Sequence, residues 1–424
     1  MRIFWFVFCF LLVLPPLNSV ATELGQPGLT AVLQAAMNNH PAIKGKRSEL
    51  EAQGYRVTST ESNRYPSVTG QMATQDDGNQ YGTLRVRQPL WAFGKIDTPI
   101  AVARAQQKIE LLKLLQVQRQ VLEQTAAVFA QVRGIQQQLQ IADENIEEHQ
   151  KLFDRVERRQ VGQLASEADV RLAFSRLTQA ESQRQRIEGE LQVAMTELES
   201  LTQLSIDRDK NFSSYSVTLP AKTEVESLAD KYHAAIRVKK AQIKVVKYNV
   251  ALEKIASTPT LYAEAERDFF DSSTADQTRV GLTLEGQLDG AGLGIFSRIK
   301  AASSEVDAAR QDYQSTRNDV ALRISSLLTN LALQHRLQHS QQISVDAVRE
   351  TRESFYRQYD SGRKSWLEVL NIQRELTEQR LQLAQADSDR FGVSLRIAAL
   401  IGGLDKTAGI EPDVAEQASQ EEDL

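Results

Sequence analysis

The sequence predicts a mainly α protein with a smaller β part, built from long coiled-coil helical hairpins and four amphipathic strands. Three observations carry that expectation: two long stretches without proline, an apolar heptad seam inside the first, and a duplicated order of elements. Prolines of the body stand at 27, 41, 66, 89, 99, 220, 259 and 412, so Ile100 to Leu219 and Thr260 to Glu411 contain none. Proline inside a helix costs about 3 kcal/mol, and runs rich in Ala, Leu, Gln, Glu and Arg that avoid it favour long helices.

Within the first stretch, Val128, Val132, Ile135, Leu139, Ala142, Ile146, Phe153 and Val156 follow a 4-3-4-3 rhythm that skips one step, at His149. That is the seam of helices wound around helices. If Ile100 to Gln160 is one helix, it is about 90 Å long at about 1.5 Å per residue, and no compact globular domain holds such a rod.

The duplication shows in small motifs. His40-Pro41-Ala42-Ile43 and His233-Ala234-Ala235-Ile236 each open a helical stretch, and each is followed at the same distance by a proline, Pro66 and Pro259. After each proline comes alternating sequence and then a helical run broken by a glycine, Gly162 or Gly362. The chain reads as two copies of one plan: helix, strand, loop, strand, long helix, turn, long helix. The first copy is expected over 22–219, the second over 220–404, and an acidic disordered tail over 405–424.

The strand segments alternate with period two. Leu261, Ala263 and Ala265 oppose Tyr262, Glu264, Glu266 and Asp268; Leu84 and Val86 oppose Arg85 and Arg87; Val280, Leu282 and Leu284 oppose Gly281, Thr283 and Glu285. After Pro66 the pattern is weaker, with Val68 and Met72 against Thr69 and Gln71, while Thr74 to Asn79 and Asp271 to Thr278 read as turn-like connections. Strands apolar on one side and charged on the other are what a membrane barrel uses, but bacterial barrels start at about eight strands. An open sheet edge in lipid is prohibitively costly. Either the four strands form a small soluble sheet or several protomers pool them, and the physics alone permits a dimer or a trimer.

The amino terminus predicts export. Met1-Arg2 precedes an apolar run from Ile3 to Leu14, Pro15-Pro16 end it, and Ser19-Val20-Ala21 reads as a cleavage site, giving a signal peptide over 1–21. The run is shorter than the roughly 20 residues of a transmembrane helix. Cys9, the one cysteine, lies inside it, so the mature chain has no thiol for disulfides, catalysis or metal binding. Net charge is −5, much of it from Glu411, Asp413, Glu416, Glu421, Glu422 and Asp423, and nothing resembles a nucleic-acid surface.

No catalytic constellation stands out, and no cofactor is expected. Gly290-Ala291-Gly292-Leu293-Gly294 has Ile295 where a dinucleotide loop needs its last glycine, so it reads as a strand-to-helix turn. His335 and His339 could face one side of a helix, but Arg336 follows the first and no third ligand is near in sequence, so they read as a solvated face.

Read together, Asn39-His40-Pro41 with Ile43, Tyr65-Pro66-Ser67, Gln88-Pro89-Leu90-Trp91 with Gly94, Gln160-Val161-Gly162 with Asp169-Val170, and Tyr359-Asp360-Ser361-Gly362 with Glu368-Val369-Leu370 resemble the TolC family of outer-membrane efflux and secretion channels. The resemblance covers the mature chain to about Leu404 and rests on the order, spacing and duplication of motifs that are individually unspecific. It implies a homotrimer with a twelve-stranded barrel in outer-membrane lipid and a helical tunnel through the periplasm. Its tip would meet a periplasmic adaptor (a membrane fusion protein) and an inner-membrane ABC or proton-driven transporter.

By the same resemblance, Gly162 and Gly362 mark the adaptor-docking tip, and Glu368 and Asn371 the periplasmic gate. The family commonly has two aspartates at the gate, so Asn371 neutralises one of them. Asp169 follows Gly162 by one residue more than Glu368 follows Gly362, which leaves the first copy out of step. Lys364 is expected one turn before Glu368 on the same helix face, compensating the ring of charge at the gate. Arg363 to Asn371 looks similar to tips of channels paired with ABC exporters of adhesins, so type I protein secretion is expected. Multidrug efflux is the alternative, and a periplasmic coiled-coil tether a further one.

Overall fold

The computed structural model describes residues 28–74, 80–207, 212, 217–269, 278–287 and 293–410. The expected signal with Cys9, the connections at 75–79 and 271–277, Gly290 to Gly292 and the acidic residues from Glu411 on lie outside the described residues.

Each copy begins with two short helices joined by a histidine. α1 (Leu29–Asn39) leads into α2 (Pro41–Glu61), and α5 (Lys222–Tyr232), of the second copy, into α6 (Ala234–Ile255). His40 and His233 adopt the same extended backbone, with φ near −60° and ψ near 125°. Each ends one helix through its N–H, which donates to Ala36 O or Ala229 O. Each starts the next through Nδ1, which accepts from Ala42 N at 3.2 Å or Ala235 N at 3.3 Å. The duplicated histidines are therefore helix-joining caps, and Pro41 occupies the first turn, where a missing N–H is harmless.

Then come the strands, β1 (Ser67–Thr74) and β2 (Gln80–Trp91) in the first copy, β3 (Thr260–Phe269) and β4 (Thr278–Glu285) in the second. They form one antiparallel sheet in the order β1-β2-β3-β4, so the central pairing joins the two copies. A register irregularity between Pro89 and Trp91 lets proline enter β2 near its end.

Each copy closes on a pair of long helices: α3 (Asp97–Val161, 65 residues) with α4 (Glu167–Thr202), and α7 (Leu293–Asp360, 68 residues) with α8 (Trp366–Leu400). α3 starts three residues before the expected Ile100 because Pro99 fits its first turn. It packs against α4, α8, α2 and α6, while α8 also packs on α7. The seam is buried as the spacing predicts, at Val128, Val132, Ile135, Ala142 and Val156. The skipped step is filled by His149, only 6% exposed. The main core gathers around Phe129, whose ring meets Phe212 edge-on at 5.3 Å.

One boundary moves. The segment expected to be disordered from residue 405 is folded through 410, because 401–410 fold back as turns that bury Leu404, Ala408 and Ile410. The buried Arg119 guanidinium binds Asp405 at 2.6 Å and the Tyr232 carbonyl at 2.6 Å, and these partners hold the return. No helix among the described residues is long and apolar enough to cross a membrane.

Candidate functional site

Both long hairpins turn by the same device. In the first, α3 ends at Val161, Gln163 turns left-handed with φ 57°, and Ser166 caps α4. Ser166 N donates to Asp169 Oδ2 at 2.9 Å, and Asp169 N donates back to Ser166 Oγ at 3.2 Å. In the second, Gly362 is left-handed with φ 75°, and Ser365 and Glu368 form the equivalent box, with Ser365 N donating to Glu368 Oε2 at 2.9 Å. Reciprocal capping of this kind satisfies donors that a helix start leaves orphaned.

This geometry corrects the register of the two copies. Gln163 and Gly362, Ser166 and Ser365, Asp169 and Glu368 keep one constant offset, so Asp169 is in step after all. Gly162 does not match Gly362 in conformation: its φ is −79°, and it is the C-cap of α3. The left-handed position of the first copy belongs to Gln163.

Glu368 is committed to the cap, since Oε2 accepts from both the N–H and the hydroxyl of Ser365. Lys364 Nζ reaches Oε1 at 2.5 Å and lies 4.3 Å from the centre of the Phe355 ring. The lysine, then the Ser365 N–H, hold this carboxyl down at about 2. Lys364 is not on the helix face expected for it; it sits in the turn before Trp366 opens α8, and the turn brings it to Glu368. Asn371 is exposed one turn further along α8.

The tips are tied to each other within one chain. Trp366 Nε1 donates to Asp169 Oδ1 at 3.1 Å, and the Ser166 N–H and hydroxyl, with this indole, keep the Asp169 carboxyl below its usual range. Tyr359 is buried against Leu152, Val369 and Leu370, under the guanidiniums of Arg155 and Arg159. Arg155 also pairs with Asp360 at 3.1 Å. The sequence reading missed Trp366, Asp169 and Tyr359 as one cluster. The paired Ser-x-x-Asp and Ser-x-x-Glu patterns were a legible signal for part of it.

At the other end the sheet has two unlike faces. Val68, Val86, Ala265 and Val280 stand in one row across all four strands, flanked by Met72, Leu84, Leu282 and Leu284. Val68, Met72, Leu84, Val280, Leu282 and Leu284 are exposed in the single chain. Arg267 brings a charge to this face, its guanidinium 5.1 Å from the centre of the Phe269 ring. The opposite face is a ladder of ion pairs: Arg85 with Glu264 and Glu266, Arg87 with Glu264 and Glu285, Arg279 with Glu266 and Asp268. β1 and β4 each pair on one side only among the described residues.

His335 and His339 are exposed on α7, and no group of metal-binding side chains occurs among the described residues.

The family described as outer membrane efflux protein matches residues 32–202 and 226–403, one segment in each copy. The chain is 26% identical over 344 residues to the proteases secretion protein PrtF of Dickeya chrysanthemi, a span of 74% of this chain and 72% of that one. Its fold is similar to the outer membrane protein VceC from Vibrio cholerae, with a TM-score of 0.72 at 15% identity over 88% of this chain and 96% of that chain. It is also similar to the Campylobacter jejuni CmeC outer membrane channel, with a TM-score of 0.66 at 15% identity over 93% and 89% of the two chains. The two matched segments together span most of the sequence, so the chain belongs to the outer membrane efflux protein family, the TolC-like channel proteins.

Proposed function

We propose that three copies of this chain pool their sheets into a closed twelve-stranded barrel and conduct cargo as the outer-membrane part of a tripartite export system. The observation that carries this reading is the sheet itself. One face is apolar and exposed, the other is ion-paired, and neither outer edge has a partner strand among the described residues. Lipid against the first face, water against the second and a neighbouring copy at each edge would satisfy all three. Crosslinking in native membranes should give a species of three times the protomer mass. A monomer soluble in the periplasm would defeat the proposal.

In this assembly the helical tip, with Gly162, Gln163 and Gly362, receives a periplasmic adaptor joined to an inner-membrane transporter. Lys364, Glu368 and Asn371 line the periplasmic mouth. For cargo, small-molecule efflux now has the better support, since the family that matches both copies is described by efflux. The tip segment that suggested an adhesin has a plainer role, because Ser365 and Glu368 are spent on capping α8. Protein secretion remains a second reading, favoured by the likeness to PrtF. Crosslinking the chain to its transporter separates the two. A proton-driven drug transporter supports efflux, and an ABC exporter with a polypeptide passenger supports secretion.

A further inference from the structure

Among the tip helices, several arginines are matched to carboxylates. Arg155 pairs with Asp360, Arg184 with Asp143 and Glu188, and Arg380 with Glu144. Three are not. Arg176, Arg186 and Arg374 form no ion pair among the described residues, yet all three line one groove between α4 and α8 over α3. The groove holds about 310 Å³, and Glu378 is the only carboxylate among the described residues that line it.

The groove also collects unmet hydrogen-bonding capacity. Arg176 Nη1 donates to Gln179 at 2.9 Å, but its Nε is buried without a partner. His149, 6% exposed, lines the same groove with Nδ1 buried and unpartnered. Buried polar atoms without partners are rare in folded proteins and ask for an explanation. Three guanidiniums around one groove repel each other unless negative charge comes from elsewhere. Guanidinium forks pair best with the oxygens of phosphate or carboxylate.

We propose that this groove is a binding site for a small multivalent oxyanion, bearing phosphate or clustered carboxylates, held by Arg176, Arg186 and Arg374. Its volume lies at the low end of the roughly 300–1,000 Å³ typical of small-molecule sites, which favours a small anion over a polypeptide segment. Asn371 lines the groove beside Arg374. A carboxylate there would supply an internal counter-charge one helical turn from Arg374 and compete with the ligand. The amide adds no such counter-charge, so the three guanidiniums set the sign of what the groove attracts.

The site stands on its own geometry; only its placement at the channel mouth rests on the reading above. The test is calorimetric titration of the purified full-length protein with inorganic phosphate and, separately, with citrate, at constant ionic strength in chloride. Saturable binding of one anion per chain is expected, and the preferred titrant tells phosphoryl from carboxylate chemistry. Arg186→Gln and Arg374→Gln are exposed changes and should each weaken binding about tenfold, as expected for losing one charge-assisted hydrogen-bonding group. Asn371→Asp should weaken it as well, whereas Arg171→Gln, outside the groove, should not. Absence of saturable binding, or binding indifferent to the Arg186→Gln/Arg374→Gln double change, overturns the site. Planar-bilayer conductance then separates site from placement. Block by phosphate from the periplasmic side, lost in Arg374→Gln, supports both, while binding without block supports the groove and counts against the mouth reading alone.

Discussion

The indole of Trp366 donates to Asp169 across 3.1 Å and thereby joins the capping boxes of two hairpins that are far apart in sequence. Asp169 serves its own helix start and the neighbouring hairpin at once. Removing the donor while keeping the ring isolates that link. Trp366→Phe should cost about 1 kcal/mol, the usual worth of one hydrogen bond, and speed amide exchange in the first turns of both α4 and α8. Exchange that rises only at α8 would show the link to be energetically idle.

The two turns should respond oppositely to glycine. Gln163 holds a left-handed backbone that costs a side chain about 1 kcal/mol, so Gln163→Gly should leave the assembled protein as stable or more so. Gly362→Ala should lose about that amount, although nothing lies within 4 Å of the new methyl group. Gly162→Ala should be nearly silent, since its Cβ would meet only carbonyl oxygens at 3.6 and 3.7 Å. Thermal melts of the three variants check the ranking, and equal losses at Gly162 and Gly362 would contradict it.

Glu368 ties the cap to pH. Its carboxyl is held down at about 2, below its unfolded value near 4.5, so the folded state favours the charged form. The capping contribution is therefore complete above about pH 5 and disappears as pH falls towards 2. Amide protection at Ser365 and Glu368 should follow that window in the native protein and lose it in Glu368→Gln. In planar bilayers, Glu368→Ala should weaken block by divalent cations and Lys364→Ala should raise conductance. Unchanged conductance and block in both would leave Glu368 as a cap and nothing more.

His233 makes the opposite demand. Burial first, then Arg119 and Arg323, lower it to about 4, so the folded protein keeps it neutral with Nδ1 free to cap α6. Stability from this group is full above about pH 6.5 and is lost as pH falls through 6.5 towards 4, because the unfolded chain takes up the proton first. The shift corresponds to roughly 3 kcal/mol at most. His233→Asn keeps a capping acceptor without the titration, so its melting temperature should be flatter over that range.

The apolar sheet face should be intolerant of charge. Leu282→Arg places a cation among residues proposed to face lipid and should cost about 2–4 kcal/mol near mid-membrane. Loss of the protein from the outer-membrane fraction is the expected result. Arg85→Gln, on the ion-paired face, should insert normally.

Much of this was legible in the residue order. Proline spacing outlined the helices, and period-two alternation located all four strands, because both signals follow from the local backbone. The tip was less legible for a physical reason. Gly162 and Gly362 look alike as letters, but a turn is defined by which residue goes left-handed, and in the first copy that is Gln163. His149 broke the heptad pattern on paper while occupying its position in space. The groove of three arginines escaped notice because Arg176, Arg186 and Arg374 converge only once α4 and α8 lie over α3.

The pairing of β2 with β3 makes the middle of the sheet a joint between two halves of one polypeptide. A chain of half this length would carry a single strand hairpin, and six such chains would be needed for the barrel that three full ones are proposed to close. Fusing the halves lowers the rotational order of the ring and releases neighbouring hairpins from being identical. Glutamine and glycine can then share one turn position, and aspartate and glutamate one cap, with the indole of Trp366 bridging unlike neighbours. In a ring of identical halves every such innovation would be imposed at six places at once. Here one half can change while its twin stays as it is.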